Sequence, residues 1–285
     1  MKAWATLLTK PDYLVGVRVL HASLRRSSSE HPLVVMVTAD VDEPSRRALL
    51  DDGCLVREVG VLRPDSRLEA NYANERFVEV WTKLAAWGLV EFERLVVLDA
   101  DMLVVANMDE LFTLELPEGG LAACHACRCN PNRIASYPAS WTPQNCFYTH
   151  CRGLEHTEEP GVVDNYFNGG FLVLEPDEAV LDALLTRLHG LSDLTRYQFA
   201  EQDFLNESFA GRWRPLPYVY NALKTLSHQH PSVWDERQVK NLHYIIDKPW
   251  QGRTEPGNRY HDLHERWWRV AEQVLPVVPA GAAPA

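Results

Sequence analysis

No apolar run in the 285-residue chain approaches the roughly 18 residues that a membrane-spanning helix needs. The N-terminus also goes straight into AWATLL at 3–8, without the basic region, apolar core and cleavage site of a secretory leader, so a cytoplasmic location is expected. Positive charge is in short supply: 28 Lys and Arg stand against 39 Asp and Glu, a formal charge of -11. Such a chain repels nucleic-acid backbones and anionic bilayers, so neither is expected as its main partner. No internal repeat and no composition break divides it. Residues 1–275 therefore read as one domain, with 46% hydrophobic residues to build its core, and the PVVPAGAAPA stretch at 276–285 reads as a disordered tail.

The most informative stretch is LVVLDADMLVV at 95–105. Four apolar residues suit a strand buried on both faces, and two acids follow at once. At spacing i, i+2 on extended chain, Asp99 and Asp101 project to the same side, where they can share a hard cation at the strand's end. Without a cation, two carboxylates that close would repel. Strand-like runs at 3–8, 33–38 and 55–59 alternate with helical patterns at 13–25 and 44–51, the latter capped by Asp42. That alternation predicts an α/β fold with a mostly parallel sheet flanked by helices. Further on, 77–89 reads as a helix carrying Lys83, 171–174 as a strand preceded by Asn168, Gly169 and Gly170, and 177–191 as an amphipathic helix. Glu201, Gln202 and Asp203 open another helix, a strand near 239–243 bears His243, and 258–275 is a terminal helix.

Five of the six cysteines fall between Cys124 and Cys151, alongside His125 and His150. Zinc is one reading. The pattern lacks the paired Cys-x2-Cys knuckles of a ribbon, and its Cys-x-Cys step is awkward for tetrahedral closure. Reduced thiols packing the long, weakly periodic 125–164 segment are the expectation. A loop of that length in a compact domain is usually functional, and it is the expected source of acceptor contacts.

Four segments, TLLTKPDY, LDADMLVV, FNGGFLVLEP with AEQDFLN, and HYIIDKPW, stand in the order and approximate spacing of the glycogenin and galactinol synthase group, glycosyltransferase family 8. The chain resembles that family from about residue 3 to 250. The resemblance implies a GT-A, nucleotide-diphosphosugar transferase fold with a Rossmann-like sheet, and manganese-assisted transfer of a hexose from a UDP-sugar with retention of configuration. It assigns Asp99 and Asp101, with Ala100 between them, to the metal-binding Asp-x-Asp, and His243 to the third metal ligand. Lys248 resembles the lysine that holds the diphosphate, and Lys83 the one that reaches the donor sugar. Leu7, Thr9 and Tyr13 match positions that hold uracil and ribose. Asn168 and Gly169 match the Asn-x-Gly that meets the transferred sugar, and Glu201, Gln202 and Asp203 match the catalytic stretch beside the anomeric carbon.

The chain departs from the family pattern at three places. Ile245 and Ile246 stand where a glycine is usual, Glu201 where many relatives carry Asp, and Lys10 where an asparagine is frequent. A galactinol synthase-like enzyme using UDP-galactose or UDP-glucose and a small polyol or saccharide acceptor is the leading expectation, with a homodimer left open. A glycogenin-like self-glucosylating enzyme is the rival, for which Tyr137, Tyr148 and Tyr197 are the available acceptors. From other classes, a nucleotide-sugar-binding protein would have lost some of these acids, yet all are present. A nucleotidyltransferase would need a Gly-rich, lysine-containing phosphate loop, and nothing between Thr9 and Gly16 supplies one.

Overall fold

A computed structural model describes residues 1–151, 163 and 165–275. The 276–285 tail expected to be disordered lies outside the described residues. The chain opens with strand β1 (Lys2–Leu8), helix α1 (Leu14–Arg26), β2 (Leu33–Val37), α2 (Glu43–Asp51) and β3 (Leu55–Glu58). Asp42 caps α2 as its sequence suggests, accepting from the Ser45 amide at 2.8 Å. Next come β4 (Arg94–Leu98), β5 (Met102–Val104), β6 (Leu121–His125), the one-turn α3 (Phe147–His150) and β7 (Phe167–Leu174). The last third supplies α4 (Glu178–His189), α5 (Glu201–Ser208), β8 (Trp213–Leu216), β9 (Ala222–Leu223), α6 (Leu226–Gln229), β10 (Asn241–His243) and α7 (His261–Val274).

Seven strands form one sheet in the order β3-β2-β1-β4-β7-β6-β8. Its neighbours are parallel except at β7, which runs against both β4 and β6. The apolar run of β4 has its explanation in the layers on either side. Leu95 and Val97 enter one core with α4 and α5, while Val96 and Leu98 enter the other with α1 and α2. Every side chain of that strand is thus removed from water, at about 1.5–3 kcal/mol for each large one, and no polar alternation appears in the sequence.

The helix expected at 77–89 is instead a 3-10 helix, Val80–Gly88. With three residues per turn, Trp81, Leu84 and Trp87 align on one face, and all three are buried in the core beneath the sheet. The same register lines Val80 up with Lys83, and both face the cavity described below. The tighter helix therefore keeps two tryptophans in the core while presenting a lysine to the other side.

A small second sheet, β5-β10-β9, lies at the carboxyl end of β4. In it β10 pairs antiparallel with β5, His243 opposite Met102, and the Tyr244 amide donates to the Asp101 carbonyl at 2.9 Å. This register brings β10 beside the paired acids. Among the described residues no helix is long and apolar enough to cross a membrane.

Candidate active site

The acids of 95–105 sit in the turn between β4 and β5, where the two sheets meet. The ladder between β4 and β7 continues past Leu98, since the Asp99 amide donates to the Gly170 carbonyl at 2.9 Å. A β-carbon at Gly170 would lie 2.6 Å from His243 Cε1 and 2.7 Å from Asp99 Oδ2, so only glycine fits there. Asp99, Asp101 and His243 consequently converge, one ligand atom from each lying within 4.8 Å of the others. His243 Nε2 is 3.3 Å from Asp101 Oδ1 and 3.9 Å from Asp99 Oδ2.

Hydrogen bonds fix how the imidazole is oriented. The Gly170 amide donates to Asn168 Oδ1 at 3.1 Å, which makes that oxygen an acceptor. Asn221 must then present its Nδ2 to Asn168 Oδ1, at 2.9 Å, and its Oδ1 to His243 Nδ1, at 2.8 Å. Nδ1 therefore donates to Asn221, and Nε2 is the ring nitrogen turned toward the two acids. Asn221, itself buried, was missed by sequence reasoning, because a lone asparagine in WRPLPYVYN carries no spacing signal.

Two lysines neutralise the acids. Lys248 Nζ bonds the Asp101 carboxylate and donates to the Tyr244 carbonyl at 3.2 Å. Burial opposes its charge, but Asp101, with Tyr13 and Asp99, outweighs burial and raises its proton affinity. Asp101 shows the converse: burial favours its neutral form, yet Lys248 and His243 hold the carboxyl well below the usual range. Lys83 Nζ reaches Asp99 Oδ1 at 2.8 Å, Glu201 Oε1 at 3.0 Å and the Gly169 carbonyl at 3.0 Å. Burial raises the Glu201 carboxyl despite Lys83. Lys83 is only 4% exposed.

Behind Glu201, the Gln202 amide oxygen accepts from the Gly169 amide at 2.9 Å and from Asn168 Nδ2 at 3.0 Å. Its Nε2 donates to Tyr166 Oη at 2.9 Å, and that hydroxyl donates to Asp203 Oδ1 at 2.5 Å. Asp203 Oδ2 accepts from the Phe199 amide at 2.7 Å. Both Asp203 oxygens are thus engaged in holding Tyr166 and the start of α5, while Glu201 and Gln202 line the cavity. Ala200, just before them, has φ of 46°, a strained conformation of the kind that collects at functional sites.

These groups form the floor of a cavity of about 1450 Å³. Leu7, Thr9, Tyr13, Ala100 and Lys248 line it at one end, with Tyr13 edge-on to Trp250 at 5.4 Å. Asn130, Ile134, Tyr137 and Trp141 of the long loop line it at another. The remainder of that loop, 152–162 and 164, lies outside the described residues. Of the three tyrosines considered as acceptors, Tyr148 and Tyr197 are buried with their hydroxyls bonded, and Tyr137 alone lines the cavity. Ile246, where a glycine is usual, has φ of 70°, the left-handed region in which a β-branched residue is strained.

A Rossmann-like sheet ending in two carboxylates, an imidazole and two lysines, over a cavity this large, defines a glycosyltransferase of the GT-A class. The model of glycosyl transferase family 8 matches residues 5–254, and the chain belongs to that family, among its hexosyltransferases. Galactinol synthase 6 of Arabidopsis thaliana is 34% identical over 95% of this chain and 81% of its own length. Galactinol synthase 1 of Solanum lycopersicum is 34% identical over 94% of this chain and 81% of its own. In fold, the chain is similar to the galactosyltransferase LgtC, solved with donor and acceptor sugar analogs, with a TM-score of 0.65 at 16% identity and 98% of each chain covered. It is also similar to the glycosyltransferase GlyE of Streptococcus pneumoniae, with a TM-score of 0.59 at 19% identity, covering 95% of this chain and 60% of that one.

Proposed function

We propose that the enzyme is a retaining, Mn²⁺-dependent transferase that moves a hexose from a UDP-sugar to a hydroxyl of a small polyol or saccharide. UDP-galactose is the favoured donor over UDP-glucose, because relatives 34% identical to the chain are named galactinol synthases. The observation that carries the reading is the convergence of Asp99, Asp101 and a His243 whose Nε2 is turned toward them by the bond from Nδ1 to Asn221. Two carboxylates and one imidazole suit a hard divalent ion such as manganese, and the missing side chain at Gly170 leaves them room. A bound ion there supplies Lewis-acid stabilisation of the charge on the departing diphosphate.

In this proposal Lys248 and Lys83 exchange part of their bonding with Asp101 and Asp99 for the donor's phosphate oxygens, each as a point charge. Leu7, Thr9 and Tyr13 receive uracil and ribose, and Asn168 and Gly169 border the transferred sugar. Glu201, fixed by Lys83, orients the sugar hydroxyls. The oxygen of Gln202 is already engaged by two donors, so attack through it would break both bonds. That supports a front-face route in which Gln202 stabilises positive charge at the anomeric carbon.

Incubation with UDP-galactose or UDP-glucose, Mn²⁺ and a panel of polyols and saccharides tests the reading. The expected product is an α-linked glycoside by the small coupling of its anomeric proton. A β-linked product, or label appearing on the protein at Tyr137 with no added acceptor, would overturn it. For the route, Gln202→Ala is expected to slow turnover yet keep retention, and a trapped covalent glycosyl adduct would contradict that.

A further inference from the structure

A second group of ligating side chains lies apart from the acids. Cys127 and Cys129 follow β6, Cys146 precedes α3, and His230 follows α6, so the four come from three separated stretches of chain. One ligand atom from each lies within 4.8 Å of the others. The sequence reading looked for partners within the loop, at His125 and His150. Those two are engaged elsewhere: His125 Nε2 with Asn165 at 2.9 Å and His150 Nε2 with the Gln144 carbonyl at 2.9 Å. The fourth ligand is instead His230, about a hundred residues on, which no spacing rule could supply.

The separations match a tetrahedron. His230 Nε2 is 3.5 Å from Cys127 Sγ, 3.2 Å from Cys129 Sγ and 3.6 Å from Cys146 Sγ, and the Cys127 and Cys146 sulfurs are 3.9 Å apart. Four-coordinate zinc, with Zn–S near 2.3 Å and Zn–N near 2.0–2.1 Å, requires edges of about 3.8 Å between sulfurs and about 3.5 Å between sulfur and nitrogen. The Arg128 amide donates to Cys146 Sγ at 3.4 Å, the backbone support that a thiolate ligand takes from its surroundings. Cys129, Cys146 and His230 are buried and Cys127 is partly so. Three soft sulfurs and an imidazole in a closed site select zinc over manganese. The Cys-x-Cys step closes here because both of its sulfurs, Cys127 and Cys129, reach within 3.5 Å of His230 Nε2.

We propose that Cys127, Cys129, Cys146 and His230 bind a structural Zn²⁺. The ion ties the loop after β6 to the segment after β9. Cys127 and Gln229 themselves line the large cavity, so the ion fixes the wall on which Asn130, Ile134 and Tyr137 stand. Cys124, whose thiol donates to the Pro217 carbonyl at 3.2 Å, and Cys151 stand outside the cluster.

The test is elemental analysis of the full chain purified without chelators, with Asp101→Asn as a control for the acid site. About one zinc per chain is expected, kept in Asp101→Asn and reduced at least about tenfold in Cys129→Ala and in His230→Ala. Because a cysteine variant can misfold, the second measurement uses the unaltered protein with cobalt exchanged for zinc. Intense visible bands of tetrahedral, thiolate-bound cobalt are expected, present equally in Asp101→Asn. Fewer than about 0.1 zinc per chain, a zinc lost with Asp101 rather than Cys129, a cobalt spectrum without thiolate bands, or a mass two hydrogens short in a zinc-free protein would each overturn the proposal.

Discussion

His243 can act as a ligand only because Asn221 keeps its Nδ1 protonated, and Asn221 can do so only because the Gly170 amide fixes Asn168. Removing that support should weaken the metal without touching a ligand. Asn221→Ala is expected to raise the Mn²⁺ concentration for half-maximal activity about 10–100-fold, read by metal titration at saturating donor; an unchanged midpoint would contradict it. Ile246, on the wall of the cavity, offers a case of backbone strain. Ile246→Gly should release on the order of 1 kcal/mol of backbone strain, partly offset by glycine's freedom in the unfolded chain, and urea unfolding measures the net gain. At this scale the acids were legible because a buried run ending in Asp-x-Asp is an unusual expense. Asn221 and His230 were not, since a single polar residue acquires meaning only when distant strands are brought together.

The 3-10 helix Val80–Gly88 shows where periodicity misleads. Its apolar residues satisfy either three or 3.6 residues per turn over so short a span, and burial of Trp81 and Trp87 on one face decides the matter. Its Lys83 holds Asp99 and Glu201 together in the interior. Lys83→Met should therefore cost about 3–5 kcal/mol of stability, because buried acids lose their counter-charge. Adding Glu201→Gln should recover part of that loss, and strictly additive effects in urea unfolding would refute the coupling. The parallel strands were readable from alternation with helices. The reversed β7 was not, since nothing in FNGGFLVL records its direction, and it shows only in the pairing with β4 and β6, where Leu95 faces Leu174 and Leu98 faces Phe171.

Across the whole molecule, α7 packs with α1 and the small sheet in a third core, burying ionisable groups between them. His264 of α7 is 2% exposed, and its Nε2 accepts from Lys224 Nζ at 3.1 Å. Burial, reinforced by Lys224, lowers the imidazole from 6.5 to about 4. The unfolded chain therefore takes up this proton first as pH falls. Stability is lost between pH 6.5 and about 4, by at most about 3 kcal/mol, with no further loss from this group below. His264→Asn should flatten that part of the stability-against-pH curve, measured by urea midpoints; parallel curves would contradict it. We propose further that residues 1–275 fold as one unit, for which coincident unfolding by fluorescence and circular dichroism is expected.

The account rests on Asp99, Asp101 and His243 sharing one ion. Electron paramagnetic resonance of Mn²⁺ with UDP present, on the protein and on His243→Ala, tests this without requiring turnover. About one bound Mn²⁺ per chain is predicted, with its affinity at least about tenfold weaker in His243→Ala. Equal Mn²⁺ binding by both proteins would contradict it.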